Sequence, residues 1–414
     1  MGAKVFQAIV RTLAGAAAGL AVTFLVVQGL LFHANAAHAD EPSAYFGPRL
    51  IQEDVRIPSA NGYTIAATIL RPQGEGPYGV VLLNHGVPGA EPARKTVSWK
   101  DFSAVAPVFA RRGYVVVMPI RRGFGATGGE MAEDAGPCSN PNYQRAERNA
   151  ADDVMAAYDY AQRLPYVNPD RMILAGQSAG GVVSVYTAGT RQPRGLVAVL
   201  GFASGRGGNP DIRPGVPCAV EPVAKVFEQL GKQVRVPVLL NYSENDQYFN
   251  PQTSRLWYDR FTAAGGKADY VLQKPFRKDG HFLFVDLIGV EYWLPTVEKF
   301  LSAQNVPFER LDMADPQQRP LLAGKLPLAS SESCTSLYRV FLESPGPRAY
   351  AVSADGHCGF SSGTREARDT AVRECASVAE TPCGLYAVDS TVVWKDERSP
   401  AFAGLSSKTA TTGQ

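Results

Sequence analysis

Histidine is scarce in this sequence, with five in 414 residues. Any chemistry that needs an imidazole therefore has few candidates. Net charge is nearly absent too: 41 Lys+Arg face 39 Asp+Glu, for a formal charge of +2. So small an excess excludes a charge-driven grip on nucleic acid or an anionic surface. The six cysteines, Cys138, Cys218, Cys334, Cys358, Cys375 and Cys383, form no Cys-x-x-Cys pair, so the usual spacing of a structural zinc site is missing. There is no internal repeat. What is present is ordinary: 45% hydrophobic and 19% charged residues, in a chain long enough for a large core and more than one domain. No metal and no cofactor is expected.

The first 39 residues read as a signal peptide. Lys4 and Arg11 are their only charges, Thr12 to Phe32 is uncharged and largely apolar, and Ala37-His38-Ala39 offers small residues at −3 and −1 for cleavage. The competing reading is an uncleaved membrane anchor, since the apolar run is long enough to span a bilayer. Cleavage removes two basic residues and no acid, and leaves a formally neutral chain. The expected location is secreted or periplasmic, and an even cysteine count there favours disulfides.

Beyond residue 40, apolar runs alternate with helical patterns. "EDVRIPSANGYTIAATILRP" reads as a hairpin about Asn61-Gly62. "YGVVLLNHG" and "YVVVMPI" read as buried strands, and "MILAGQS", "LVAVLGF", "VPVLLNYS" and "ADYVLQK" as strands. Helices are expected over Lys100–Arg112, Asn142–Leu164, from Ala179, around Ser254–Ala264 and over His281–Leu301. The fold class is α/β: a mostly parallel sheet with helices on both faces, spanning 40–303. Residues 304–333 are rich in Pro, Gly and Ser and read as a linker. A small α+β module over 334–396 and a disordered tail over 397–414 follow.

The segment Arg171–Gly181, "RMILAGQSAGG", places Ser178 between Gly176 and Gly180, at the end of a strand and the start of a helix. Glycine is common here, at 40 residues, so the spacing alone decides nothing. The partners decide. A serine hydroxyl needs a base to take its proton. His33 and His38 leave with the signal peptide, and His357 lies beyond the linker. His85 ends a strand far upstream and reads as loop-orienting. His281 follows the last strand and stands in the chain order serine, acid, histidine. The acid should follow a strand between them. Asp246 is favoured because it lies deeper in its loop, with Glu244 as the alternative. Oxyanion donors are expected from the backbone N–H groups of Ala179 and Val87, where Gly86 lets the chain turn.

These segments resemble the α/β-hydrolase superfamily over residues 50–303, in its dienelactone hydrolase-like and prolyl-oligopeptidase-like branch. "LLNHGVPG", "MPIRRGFGATGG", "LAGQSAGG", "NYSENDQYFNP" and "KDGHFLF" carry the resemblance. It implies an α/β-hydrolase fold with Ser178 as nucleophile, His281 as base and Asp246 as its partner. True dienelactone hydrolases use cysteine, so that substrate is not implied. The C-terminal module resembles a short module at the ends of exported bacterial proteins, chiefly in "YAVDSTVVW", and no activity follows from it.

Together these readings predict a secreted serine hydrolase acting on a small-molecule ester through an acyl-enzyme. The alternatives are a peptidase or amidase of the same fold, and a non-catalytic binding protein on a hydrolase scaffold. The module over 334–396 reads as a disulfide-stapled accessory domain, and a third reading has it dock the enzyme to the envelope or to a protein partner. Cys138 and Cys218 sit in insertions that leave carboxyl ends of strands. They are expected to pair and staple two lid loops over Ser178, with Cys334, Cys358, Cys375 and Cys383 pairing within the module. Every proposed catalytic residue precedes the linker, so a chain ending near Leu301 is expected to keep activity.

Overall fold

The computed structural model describes residues 50–59, 62–311, 332–344 and 346–394. The segment read as a signal peptide, Asn61, most of the stretch read as a linker and the polar tail lie outside the described residues. No helix among the described residues is long and apolar enough to cross a membrane.

Eight strands form one sheet in the order β1-β2-β4-β3-β5-β6-β7-β8. They are β1 Leu50–Pro58, β2 Thr64–Pro72, β3 Tyr78–Asn84, β4 Tyr114–Ile120, β5 Val167–Gln177, β6 Leu196–Phe202, β7 Val238–Ser243 and β8 Ala268–Gln273. β1 and β2 pair antiparallel, as does β2 with β4, while β3 to β8 run parallel. This is the α/β-hydrolase architecture with its antiparallel start. The continuous apolar runs of β3 and β4 follow from burial on both faces. Val80, Leu82, Val115 and Val117 point into one apolar layer with Tyr158, Phe227 and Trp257. Their neighbours Val81, Leu83, Val116 and Met118 point into the other with Phe109, Phe202 and Trp293.

Two helices are shorter than the sequence pattern implies. Over 100–112 the chain makes a 3-10 turn, Trp99–Phe102, and then a separate helix, Ala106–Ala110. Ser98 and Asp101 form a capping box that opens the turn, and Pro107 can begin the second helix but cannot extend the first. Past β8, His281 lies in a 3-10 turn, Gly280–Phe282, and the helix proper is Val290–Ala303. A helix at Val220–Gln233, with an apolar stripe of Val223, Val226, Phe227 and Leu230, was not among the helices expected.

The module has its own sheet, ordered β10-β9-β11-β12, with β9 Arg348–Ser353, β10 Cys358–Ser362, β11 Cys383–Val388 and β12 Thr391–Val392. β10 pairs antiparallel with β9. The helix Glu332–Glu343 docks the module on the hydrolase unit. Buried Glu343 receives Arg310, and Arg112 at 3.4 Å, while Arg111 donates to backbone carbonyls at the helix end.

The linker boundary moves. Val306 and Phe308 are buried in the hydrolase core, Tyr114 Oη donates to Pro307 O, and Leu311 N–H donates to Arg111 O. The hydrolase unit therefore runs to about Leu311 rather than 303. A chain ending at Leu311 is expected to fold and keep its activity. One ending at Leu301 exposes Phe109 and Tyr114 where Phe308 packed, and is expected to aggregate or melt well below it. Thermal melts of the two chains check this; equal stability would show that residues 302–311 add nothing to the core.

Candidate active site

The turn from β5 into the helix Ala179–Thr190 is tight and strained. Ser178 holds φ 59°, a region that costs a non-glycine residue about 1–3 kcal/mol. The flanking glycines are required by contact. A Cβ on Gly180 would stand 1.9 Å from Asn84 O, and one on Gly176 2.3 Å from Gly180 O. The helix start thus lies directly against the end of β3, and Ser178 is held up at the sheet's carboxyl edge. Its N–H donates to Phe202 O at 2.9 Å. Ala179 is the first helical residue, so its N–H has no acceptor within the helix.

Asp246 and His281, 35 positions apart, meet with both residues almost fully buried. His281 Nδ1 lies 3.1 Å from each carboxylate oxygen. Asp246 Oδ1 also accepts the backbone N–H groups of Tyr248 at 2.7 Å and Phe249 at 2.9 Å. With Nδ1 donating to the carboxylate, Nε2 keeps its lone pair, the form a general base needs. The Tyr248 ring stacks on the imidazole at 3.9 Å, and Asp279 accepts the His281 N–H at 2.9 Å. Glu244 is exposed, and its N–H pairs with Gln273 O. Among the described residues it makes no contact with His281.

Ser178 and His281 line one cavity of ≈ 530 Å³, together with Gly86, Val87 and Gln177. Among the described residues the Val87 N–H has no hydrogen-bond partner. His85 is pinned rather than free. Its Nδ1 donates to Gly86 O at 2.7 Å and its Nε2 accepts from Arg121 N–H at 3.1 Å. Burial, reinforced by the Arg121 charge, lowers its pKa to about 3, so the ring is neutral and its lone pair is in use. Both ring nitrogens are held within the protein, so His85 has no free lone pair to offer.

Sequence reasoning missed the groups behind this loop. Arg121 Nη2 donates to His85 O at 2.8 Å, and Arg121 Nε pairs with Glu133 at 2.5 Å. Glu133 pairs in turn with Arg206 at 2.6 Å, and Arg206 with Glu147 at 2.6 Å. All four are buried. The cavity walls were also not foreseen. They come from the excursion between β3 and β4, including Pro88, Ala93, Val97 and Phe102, and from Phe282 and Val285. Among the described residues the lining contains no lysine or arginine, and Asp101 is its one carboxylate besides these largely apolar groups.

Cys138 and Cys218 are bonded, with Cα atoms 5.7 Å apart; Cys334–Cys358 and Cys375–Cys383 close within the module. Three disulfides suit an extracellular or periplasmic setting. The lid idea needs correction, because neither Cys138 nor Cys218 lines the cavity. The insertion carrying Cys218 instead braces the acid's loop. Gly215 N–H donates to Gln247 O, Asn250 N–H donates to Gly215 O at 2.7 Å, and Gly208 sits tight against Tyr248. Replacing both cysteines by serine opens a loop of 80 residues and is expected to lower stability by roughly 4 kcal/mol in the chain-entropy description. Urea unfolding measures this, and a change below about 1 kcal/mol would show that neighbouring contacts already hold the insertion.

Residues 100–205 match the model of the prolyl oligopeptidase family, peptidase S9. No curated protein matches the chain. An acetyl xylan esterase from Paenibacillus sp. R4 is similar in structure, at 16% identity and TM-score 0.44 over 66% of this chain and 91% of that one. An esterase of Pyrococcus furiosus gives 15% identity and TM-score 0.44 over 63% and 91%. Porphyromonas gingivalis dipeptidyl peptidase 4 gives 16% identity and TM-score 0.43 over 63% of this chain and 35% of its own length. The strand order gives the chain an α/β-hydrolase fold, with a small antiparallel-sheet domain after it.

Proposed function

We propose that this hydrolase is exported and cleaves a carboxylic ester through an acyl-enzyme on Ser178. One observation carries the reading. His281, buried and paired with Asp246, lines the same cavity as Val87 and as Ser178, a serine held at positive φ at the start of a helix. In the proposed reaction Ser178 Oγ attacks the carbonyl carbon while His281 Nε2 takes its proton. The Ala179 and Val87 N–H groups stabilise the oxyanion that forms. Collapse breaks the C–O bond, and the alcohol leaves with the proton from Nε2. Water then attacks the acyl-enzyme by the same path and releases the acid. Asp246 holds the imidazole in the required tautomer and stabilises its cation.

The apolar lining favours an uncharged ester of modest size over a substrate recognised through an anionic group. The match of residues 100–205 to the prolyl oligopeptidase family favours a second reading, hydrolysis of a peptide or amide. A panel of p-nitrophenyl esters of varied chain length, run beside a peptide amide, separates the two. Ester turnover with little amide turnover is expected; the reverse order would replace the ester reading with the second.

A further inference from the structure

Resting on the serine-hydrolase reading above, we propose that Gln177 is a positioning residue that ties the base's loop to the nucleophile turn. Gln177 ends β5 and directly precedes Ser178. It is buried and lines the cavity beside Ser178 and His281. Its Nε2 donates to the backbone carbonyl of His281 at 3.0 Å, across 104 positions of sequence. Its Oε1 lies 3.0 Å from where a Cβ on Gly86 would stand, so a larger residue at 86 would press on it. One amide therefore touches three loops: the nucleophile's, the base's and the one that carries Val87.

The other restraints on His281 do not do this. Asp246 and Tyr248 fix the tilt and rotation of the ring, and both come from the loop after β7. Asp279 holds the His281 N–H from two residues away. None of these sets how far the base stands from Ser178. Among the described residues the Gln177 amide is the hydrogen bond that links the nucleophile turn to His281. Proton transfer from Oγ to Nε2 depends steeply on that separation, and small misplacements cost catalysis more than they cost binding.

Two variants test this, with rates read on a p-nitrophenyl ester and by fluorophosphonate labelling of Ser178. Gln177→Met keeps the length and removes the donor. Its kcat and labelling rate are expected to fall about 10- to 100-fold, with KM within about threefold. Gln177→Glu keeps the shape. Protonated, its carboxyl can still donate to His281 O; ionised, it sets an acceptor against that carbonyl. The ratio of its kcat to that of the wild type is therefore expected to fall as pH rises, whereas the Gln177→Met ratio stays flat. A folded Gln177→Met enzyme with kcat within about twofold of wild type would overturn the proposal. So would a Gln177→Glu ratio that does not change with pH, and that variant decides the matter if Gln177→Met fails to fold. A wild-type enzyme that neither turns over esters nor reacts with the probe fails differently, because it removes the serine-hydrolase reading itself.

Discussion

Ser178→Ala is expected to lower kcat by about four to six orders of magnitude and to abolish fluorophosphonate labelling, with the fold unchanged. The methyl group fills the space of the hydroxymethyl without new contacts, and the φ of 59° is equally strained in both residues. Stability should stay within about 0.5 kcal/mol of wild type, so the loss reads as chemistry. His281→Ala should approach the same floor, because the members of such a set act as a unit. Asp246→Asn should fall somewhat less, since the imidazole keeps its place but loses the carboxylate that fixes its tautomer. Glu244→Gln serves as the control. Its parent side chain is exposed and its backbone N–H pairs with Gln273, so wild-type activity is expected. Retained labelling in Ser178→Ala, or a dead Glu244→Gln beside an active Asp246→Asn, would overturn the assignment.

How much of this was legible in sequence depended on the range of the signal. The strands were readable because a sheet covered on both faces needs unbroken apolar runs, and β3 and β4 have them. Ser178 was readable because a sharp strand-to-helix turn needs small neighbours at fixed spacing. His281 was readable through scarcity, which left one histidine in the right chain order. Helix ends were less legible at 99–110 and 280–290, where local capping and proline set boundaries that the apolar spacing does not show. Contacts across the sheet were not legible at all. The pairing of Gln177 with His281, and of Glu133 with Arg121 and Arg206, depends on where distant loops land. The linker was misjudged because Val306 and Phe308 are too few to register as an element, although both are buried. Cys138 and Cys218 were pairable because each was alone in its insertion, but the face they bear on depended on loop paths that only the fold sets.

The second large effect concerns the buried ions behind the Val87 loop. Glu133→Gln is expected to destabilise the protein by about 3–5 kcal/mol at pH 7, because it leaves Arg121 and Arg206 buried with a weakened partner. Glu133 is 1% exposed, Arg121 0% and Arg206 6%, so water cannot substitute for the lost carboxylate oxygen. Burial alone would raise the Glu133 carboxyl, but the two guanidinium groups override it and hold its pKa at about 2, against 4.5 for the free group. A depressed carboxylate stabilises the fold above the unfolded value and loses that contribution as pH falls from about 5 toward 2. His85 acts in the same direction. Its folded pKa of about 3 lies below the free value of 6.5, so the unfolded chain binds a proton that the folded one refuses between those limits. Wild-type stability should therefore decline as pH drops below about 6.5 and decline further below about 5. In Glu133→Gln the decline assigned to Glu133 should vanish while that of His85 remains. Urea unfolding of both proteins from pH 7 down toward about 2 measures this. Activity gives a second readout, because Arg121 reaches the Val87 loop through His85 O at 2.8 Å and through the ring at 3.1 Å. A shifted loop should lower kcat more than it raises KM, as expected when oxyanion donors are displaced. Stability within about 1 kcal/mol of wild type with unchanged kcat would show that Glu147 and the backbone suffice to hold the two arginines, and that the ion chain does not fix the oxyanion loop.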